Sequence, residues 1–167
     1  MTDPNVYRPE WEHELKDPPF LTRSMRIGSR SGVSEIGVSL FEIDPGGAVA
    51  PYHIHYGNEE LLLVLSGTPQ LRTPDGVRTL EAGSMVAFPR GPAGAHRIAN
   101  HSAEPVRLLI FSTMHFPEVG EHPDTGTWLA LTGPMDGKVF PAGADAPDIE
   151  SVLRAFRAAT ENEPPRD

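Results

Sequence analysis

Residues 47–67 of the chain read GAVAPYHIHYGNEELLLVLSG, and this stretch is the most informative about the fold. In an extended strand alternate side chains share a face, so the imidazoles of His53 and His55 are expected on the same side. Glu60 opens the next apolar run, and an antiparallel neighbouring strand can bring its carboxylate to the same point. These three nitrogen and oxygen donors therefore converge on the concave side of the predicted sheet, in a combination that suits a transition metal.

A second stretch, residues 83–100, reads GSMVAFPRGPAGAHRIAN and adds a further candidate ligand, His96. If the strand of His96 lies beside the first histidine pair, the site has three imidazoles and one carboxylate. Such a set leaves two of the six positions of an octahedral ion open, which is what a catalytic or ligand-binding metal needs.

The composition of the chain is that of one small β domain. It has 167 residues, with 16 Gly, 18 Pro and no Cys. The length suits a single domain with a substantial core. The absence of cysteine excludes disulfides, a zinc ribbon, a thiol nucleophile and iron–sulfur ligation by the chain itself. Glycine and proline fall singly between short apolar runs, which is typical of an all-β sandwich or barrel.

The charge of the chain argues against several partners. Lys and Arg number 14 and Asp and Glu number 23, giving a net charge of −9 with histidine neutral. The acids are dispersed or terminal rather than set against a basic stripe, so we expect no nucleic acid and no membrane as partners. The apolar runs are too short for a transmembrane helix, and the first thirty residues have no hydrophobic region typical of a signal peptide. We therefore predict a cytoplasmic protein.

The chain divides into three predicted segments. Residues 1–24, rich in proline, are expected to form an irregular arm, residues 25–140 the β domain, and residues 147–160 a short amphipathic C-terminal helix whose apolar residues recur at helical spacing. Within the β domain, alternation and turn signals predict strands at Met25–Ile27, Glu35–Ile43, Tyr52–His55, Glu59–Ser66, Gln70–Thr73, Arg78–Leu80, Met85–Phe88, His96–Asn100 and Val106–Thr113.

The first stretch carries a family resemblance. Gly47, His53, His55, Glu60 and Gly67 match the first sequence motif of the cupins at every spacing. The chain thus resembles a cupin, a protein whose fold is a double-stranded β-helix, or jelly-roll barrel. The resemblance implies that the cofactor is one divalent transition metal from the set Fe, Mn, Ni and Zn, and that the three histidines and the glutamate are its ligands.

The second cupin motif is matched with one departure, at Gly83, Pro89, Gly91, His96 and Asn100. Four residues, 92–95, precede His96 where the family pattern has two, and the position expected to hold histidine is Gly94. We interpret the extra residues as a two-residue loop insertion before the strand of His96. Residues 88–92, 111–114 and 121–126 also resemble a subgroup of small bacterial cupins without assigned chemistry, a resemblance that implies no reaction.

Other residues near the motifs have competing interpretations. Glu59 is the rival carboxylate, but it is one residue out of phase with Glu60 and should point to the opposite face. His101 is expected in a turn, and His115 and His122 at the surface. A substrate pocket is predicted from residues near the barrel mouth, although core packing, or a surface position for the arginine, is the simpler alternative; these are Tyr52, Met85, Phe88, Arg90 and Phe111.

Three functions remain open on the sequence. The first is a metal-dependent enzyme acting on a small organic molecule, with dioxygenase chemistry favoured because sugar-phosphate isomerisation needs a basic pocket. Arg90, Arg97 and Arg107 are too scattered in sequence to supply one. The second is a sensor or storage protein that binds a small ligand without converting it, and the third is a structural dimer with an idle site. A homodimer is expected, since jelly rolls commonly pair through sheet edges and arms.

Overall fold

The structure is a computed structural model that describes residues 3–134 and 136–141. Short antiparallel strands dominate it, with one short helix, α1 (Ile27–Arg30), and a 3₁₀ turn at Pro92–Gly94. The strands are β1 (His13–Asp17), β2 (Phe20–Arg26), β3 (Gly37–Ile43), β4 (Ile54–His55), β5 (Glu60–Ser66), β6 (Gln70–Thr73), β7 (Gly76–Thr79), β8 (Met85–Phe88), β9 (Arg97–Ala99), β10 (Val106–Ser112), β11 (Glu118–His122), β12 (Thr127–Gly133) and β13 (Asp136–Phe140).

The strands form three sheets. The largest has the order β1-β2-β3-β10-β5-β8, a second has the order β13-β12-β11-β4, and a third has the order β7-β6-β9. All the strand pairs are antiparallel. The chain is therefore an all-β protein, as the turn-rich sequence predicts.

The main core joins the six-stranded sheet to the three-stranded sheet. Leu62 and Val64 alternate along β5 and are fully buried, and they belong to the same apolar cluster as Leu71 of β6 and Ile98 of β9. The intervening β5 residues, such as Leu63, turn to the other face, where a smaller cluster forms. The two-residue period of the sequence thus separates an inner and an outer face of β5.

The glycines of the first motif are required by packing. Gly67 has φ +81°, and a Cβ atom there would lie 2.8 Å from Cγ2 of Val106. A Cβ atom at Gly47 would lie 2.6 Å from the carbonyl oxygen of Leu21. Larger residues would force neighbouring strands apart at both ends of the motif.

The prediction of an irregular arm over residues 1–24 is wrong in its second half. β1 and β2 form a hairpin, with His13 opposite Ser24 and Asp17 opposite Phe20. Two of the prolines that suggested irregularity, Pro18 and Pro19, occupy the turn between these strands, where they interrupt no pairing. β2 also pairs with β3, so the hairpin extends the main sheet.

Other strands differ from the prediction in their bounds, or were not predicted. The strand predicted at Met25–Ile27 is the end of β2, which runs into α1. Of the strand predicted at Tyr52–His55, only Ile54–His55 is regular. No strands are predicted over residues 118–140, where β11, β12 and β13 lie. β11 has a single apolar residue, Val119, whereas the apolar run Trp128–Leu131 of β12 was an available signal. The C-terminal helix predicted at 147–160 lies outside the described residues.

In the described part of the chain, no helix is long and apolar enough to cross a membrane.

Candidate metal centre

His53 and His55 lie at β4, the short edge strand of the four-stranded sheet. Ile54 and His55 form β4, and His53 makes an isolated antiparallel bridge to His96 through two backbone hydrogen bonds of 3.0 and 2.9 Å. Ile54 turns away and is buried, so the rings of His53 and His55 lie on the opposite side, with centroids 4.9 Å apart. The alternation expected from the sequence is therefore observed.

Glu60 brings its carboxylate to these rings from the first residue of β5. Its Oε2 atom lies 3.3 Å from Nε2 of His96 and 3.6 Å from Nε2 of His55. Glu59 is exposed, and its carbonyl oxygen accepts a hydrogen bond from Thr113 on the neighbouring chain segment. Of the two adjacent acids, Glu60 is the one that the fold aims at the histidines.

His96 completes the cluster from the second stretch. It is 1% exposed and stacks on the ring of Phe88, with centroids 3.7 Å apart and planes 7° from parallel. The 3₁₀ turn at Pro92–Gly94 holds the extra residues of the second motif and leads directly to this position. The insertion therefore leaves His96 beside His53, at 4.3 Å between ring centroids.

These side chains form a group that can hold a metal ion. His53, Glu60 and His96 each offer one ligand atom, and the three atoms lie within 4.8 Å of one another. His55 stands next to this triad, with its Nε2 atom facing the same carboxylate. The structure thus brings the four residues of the predicted ligand set to one place.

The hydrogen bonds of the three imidazoles fix which nitrogen is free. Nδ1 of His53 lies 2.9 Å from the carbonyl oxygen of Pro51, and Nδ1 of His96 lies 2.9 Å from that of Gly94. A carbonyl oxygen can only accept, so each Nδ1 must carry the proton. In the neutral ring the lone pair is then on Nε2, the atom that a metal binds.

The third imidazole, that of His55, also has its Nδ1 atom hydrogen-bonded, in this case to a carboxylate. Nδ1 of His55 lies 2.8 Å from Oε1 of Glu118, a residue that sequence analysis did not single out. A proton on Nδ1 leaves the His55 Nε2 lone pair facing Glu60 as well. The Nε2 atoms of His55 and His96 thus flank the Glu60 carboxylate, with His53 beside them, an arrangement that a cation stabilises.

The pKa values reflect this crowding. Burial, followed by the charges of His96 and His55, lowers the pKa of His53 to about 3. Burial opposes the charged form of His55, but the hydrogen bond to Glu118 and the charges of Glu60 and Glu118 outweigh it and raise the pKa. Burial likewise raises the pKa of Glu60, but His96 and the other two histidines outweigh it and lower the pKa. Glu60 is thus held as a carboxylate, and His53 as a neutral imidazole.

The residues predicted to line a substrate pocket are dispersed. Phe88 and Phe111 border a cleft of about 920 Å³ that also reaches Glu60, but none of the three histidines of the cluster lines this cleft. Tyr52 instead packs on the other side of its strand, under the guanidinium group of Arg72 at 3.9 Å. The remaining two predicted lining residues lie elsewhere: Met85 is 60% exposed, and Arg90 hydrogen-bonds to His115.

Two residues near the cluster come from β11, beyond the motifs. Glu118 is buried beside His55, and the ring centroid of His122 lies 6.4 Å from that of His53. The surface position predicted for His122 is therefore wrong, since it is half-buried and burial and the charge of His55 lower its pKa. The alternation of Glu118, Gly120 and His122 was the one available signal for a strand face.

Comparison with known proteins identifies the fold. Residues 39–112 match the family described as the cupin domain. A sugar phosphate isomerase of the cupin superfamily from Silicibacter pomeroyi superimposes with a TM-score of 0.73, 21% identity and coverage of 90% of this chain and 99% of that one. A putative sugar phosphate isomerase from Acidithiobacillus ferrooxidans gives a TM-score of 0.70, 24% identity and coverage of 80% and 85%.

A curated relative matches over a shorter span. Auxin-binding protein ABP19b from Prunus persica is 40% identical over 67 residues, which is 36% of this chain and 32% of that protein. The chain thus spans about a third of the length of the curated relatives that it matches. The family match thus shows a cupin domain over residues 39–112, and the structural similarities show that the chain has a cupin-type fold. The resemblance drawn from the two motifs is confirmed.

Proposed function

We propose that this cupin is a metal-dependent enzyme acting on a small organic molecule, with a divalent transition metal held by His53, His55, Glu60 and His96. The observation that carries the proposal is the convergence of the ligand atoms. Nδ1 of each imidazole is occupied by an acceptor, and the Nε2 atoms of His55 and His96 lie 3.6 and 3.3 Å from the Glu60 carboxylate.

The donor set fits several metals. Imidazole and carboxylate ligands suit Fe, Mn, Ni and Zn, since the affinity order and the preferred geometries overlap. Bound there, the metal would supply Lewis acidity or, as iron, activate dioxygen. The ligands leave part of the coordination sphere to a small molecule with oxygen donors, and we favour dioxygenase chemistry.

The chain's own residues keep the ligands in place. The carbonyl oxygens of Pro51 and Gly94 fix two rings, and Phe88 covers the face of the His96 ring and shields it from water. Sugar-phosphate isomerisation finds less support. Arg107 is bound to Glu42 and Arg72 to Asp124, so the charge of each is already paired with an acid.

Metal analysis of the purified protein tests the site. We expect about one divalent transition metal per chain in the wild type and a large loss in the double variant His53→Ala, His55→Ala. A matched double variant, His13→Ala with His101→Ala, removes two exposed histidines and should keep its metal. Equal metal content in the wild type and the first double variant contradicts the proposal.

A dioxygen-uptake screen separates an enzyme from a binding protein. Iron-loaded protein is offered catechols, diketones and thiols, and the His53→Ala, His55→Ala variant serves as the blank. Uptake that depends on the two histidines supports dioxygenase chemistry. Metal binding without uptake by any of these substrates favours the second candidate, a sensor or storage protein that binds a small ligand through the same metal.

We also propose that the three sheets close into a jelly-roll barrel and that the protein is a cytoplasmic homodimer. β1 forms one edge of the six-stranded sheet, and all five of its residues are exposed. Such an edge can pair with a second copy. Size-exclusion chromatography with light scattering should give twice the mass of the chain, and a monomer at micromolar concentration contradicts the dimer.

A further inference from the structure

A buried acid lies beside the candidate metal centre and outside the family match at residues 39–112. Glu118 begins β11, and its side chain is only 4% exposed. Burying a carboxylate is costly unless it is paired. The hydrogen bond recorded for this one comes from Nδ1 of His55, at 2.8 Å. The fold therefore places the negative charge of Glu118 against one particular imidazole.

The strand register explains how Glu118 reaches His55. β11 is antiparallel to β4, with Gly120 opposite His55 and Glu121 opposite Ile54. Glu118 and Gly120 share a face by alternation. The carboxylate of Glu118 therefore reaches the ring of His55 diagonally, from two residues before the residue that pairs with His55.

The three imidazoles differ in what holds them. The Nδ1 atoms of His53 and His96 donate to neutral carbonyl oxygens two residues before them in the chain. His55 alone donates to a carboxylate, which comes from a residue 63 positions away. A charged acceptor makes a shorter and stronger hydrogen bond and increases the basicity of the ring's other nitrogen.

We infer that Glu118 is a positioning residue for the metal centre: it holds His55 with its proton on Nδ1, directs Nε2 toward Glu60 and strengthens His55 as a ligand. This inference rests on the proposed metal site. Glu118 itself is not a ligand of the ion. It adds a second negative charge, after Glu60, to a site built for a divalent cation.

Variants at Glu118 separate its hydrogen bond from its charge. Glu118→Ala removes both, while Glu118→Gln keeps an oxygen that accepts from Nδ1 but removes the charge. Glu121→Gln is the matched control, since Glu121 lies on the same strand but faces outward and accepts a hydrogen bond from the hydroxyl group of Tyr56. Thermal unfolding confirms that each variant is folded.

Affinity for Zn²⁺ and Co²⁺, measured by competition with a chromophoric chelator, is the first readout. We expect Glu118→Ala to bind about 10- to 100-fold more weakly than the wild type, Glu118→Gln to recover part of the loss, and Glu121→Gln to bind as the wild type does. The visible spectrum of bound Co²⁺ should shift in Glu118→Ala only. Wild-type affinity in Glu118→Ala, or equal weakening in Glu121→Gln, overturns the inference.

The histidine tautomer in metal-free protein is the second readout, and it does not depend on the proposed function. Nitrogen-15 NMR of the wild type should show His55 protonated on Nδ1, and Glu118→Ala should lose that preference. A wild-type His55 protonated only on Nε2 overturns the inference even if metal binds. A wild type that binds no metal but shows the expected tautomers contradicts the proposed function, while the orienting role of Glu118 stands.

Discussion

Replacing Phe88 by alanine should weaken the fold next to the candidate metal centre. Phe88 is 4% exposed, belongs to the main core cluster and stacks on His96 at 3.7 Å between centroids. Removing a buried phenylalanine ring costs about 3–5 kcal/mol of unfolding free energy, since apolar contacts are lost and a cavity remains. Because the ring is buried and also stacks on His96, we expect a loss of about 4 kcal/mol, in the middle of this range.

The assay is denaturant unfolding followed by circular dichroism, on metal-free protein. Met85→Ala is the control, because Met85 lies on the same strand but is 60% exposed, and its loss should change stability by less than about 0.5 kcal/mol. Phe88→Leu should fall between the two. A loss below about 1 kcal/mol in Phe88→Ala would refute the claim that the ring packs His96 into the core.

Three further predictions follow from particular contacts. Gly67→Ala should destabilise the protein by about 2 kcal/mol more than Gly76→Ala, because both glycines have positive φ but only the Cβ atom at position 67 would strike Val106. Denaturation midpoints measure the difference in stability, and equal losses in the two variants contradict the prediction. Glu42→Ala should cost about 3 kcal/mol in the same assay, since two arginines bind this buried carboxylate, and a loss under about 1 kcal/mol would show that the cluster does not stabilise the fold. Metal affinity should fall as the pH drops through the raised pKa of His55, because protons compete with the metal for Nε2. In metal-free protein, by contrast, protonated His55 stabilises the fold fully below about pH 6.5, and this stabilisation declines as the pH rises through the raised pKa. Zinc titrations measure the first effect and melting curves the second, and a zinc affinity independent of pH contradicts the first.

The local pattern was sufficient to predict the main ligands. One residue separates His53 from His55, so a strand of any register puts both rings on one face, and Glu60 shares its phase with the buried Leu62. The glycine at position 67 marks a turn that the packing against Val106 enforces. These features depend on residues close together in sequence, and for this reason the family resemblance and the all-β fold could be recognised.

The missed features depend on contacts between distant residues. Glu118 meets His55 only because β11 pairs with β4, and nothing near Glu118 in the sequence indicates that partner. The β1–β2 hairpin was hidden by prolines that lie in its turn. Glu118 was missed and His122 was wrongly expected at the surface for the same reason. β11, the strand that carries both residues, has too few apolar residues to be detected from the sequence.

Anomalous diffraction from crystals of the metal-loaded protein, recorded above and below the absorption edge of the metal, locates the ion itself. We expect a single anomalous peak at about 2.0–2.2 Å from Nε2 of His53, His55 and His96 and from a carboxylate oxygen of Glu60. A peak elsewhere on the protein, a peak on Nδ1 atoms, or loaded crystals without any peak would contradict this ligand set.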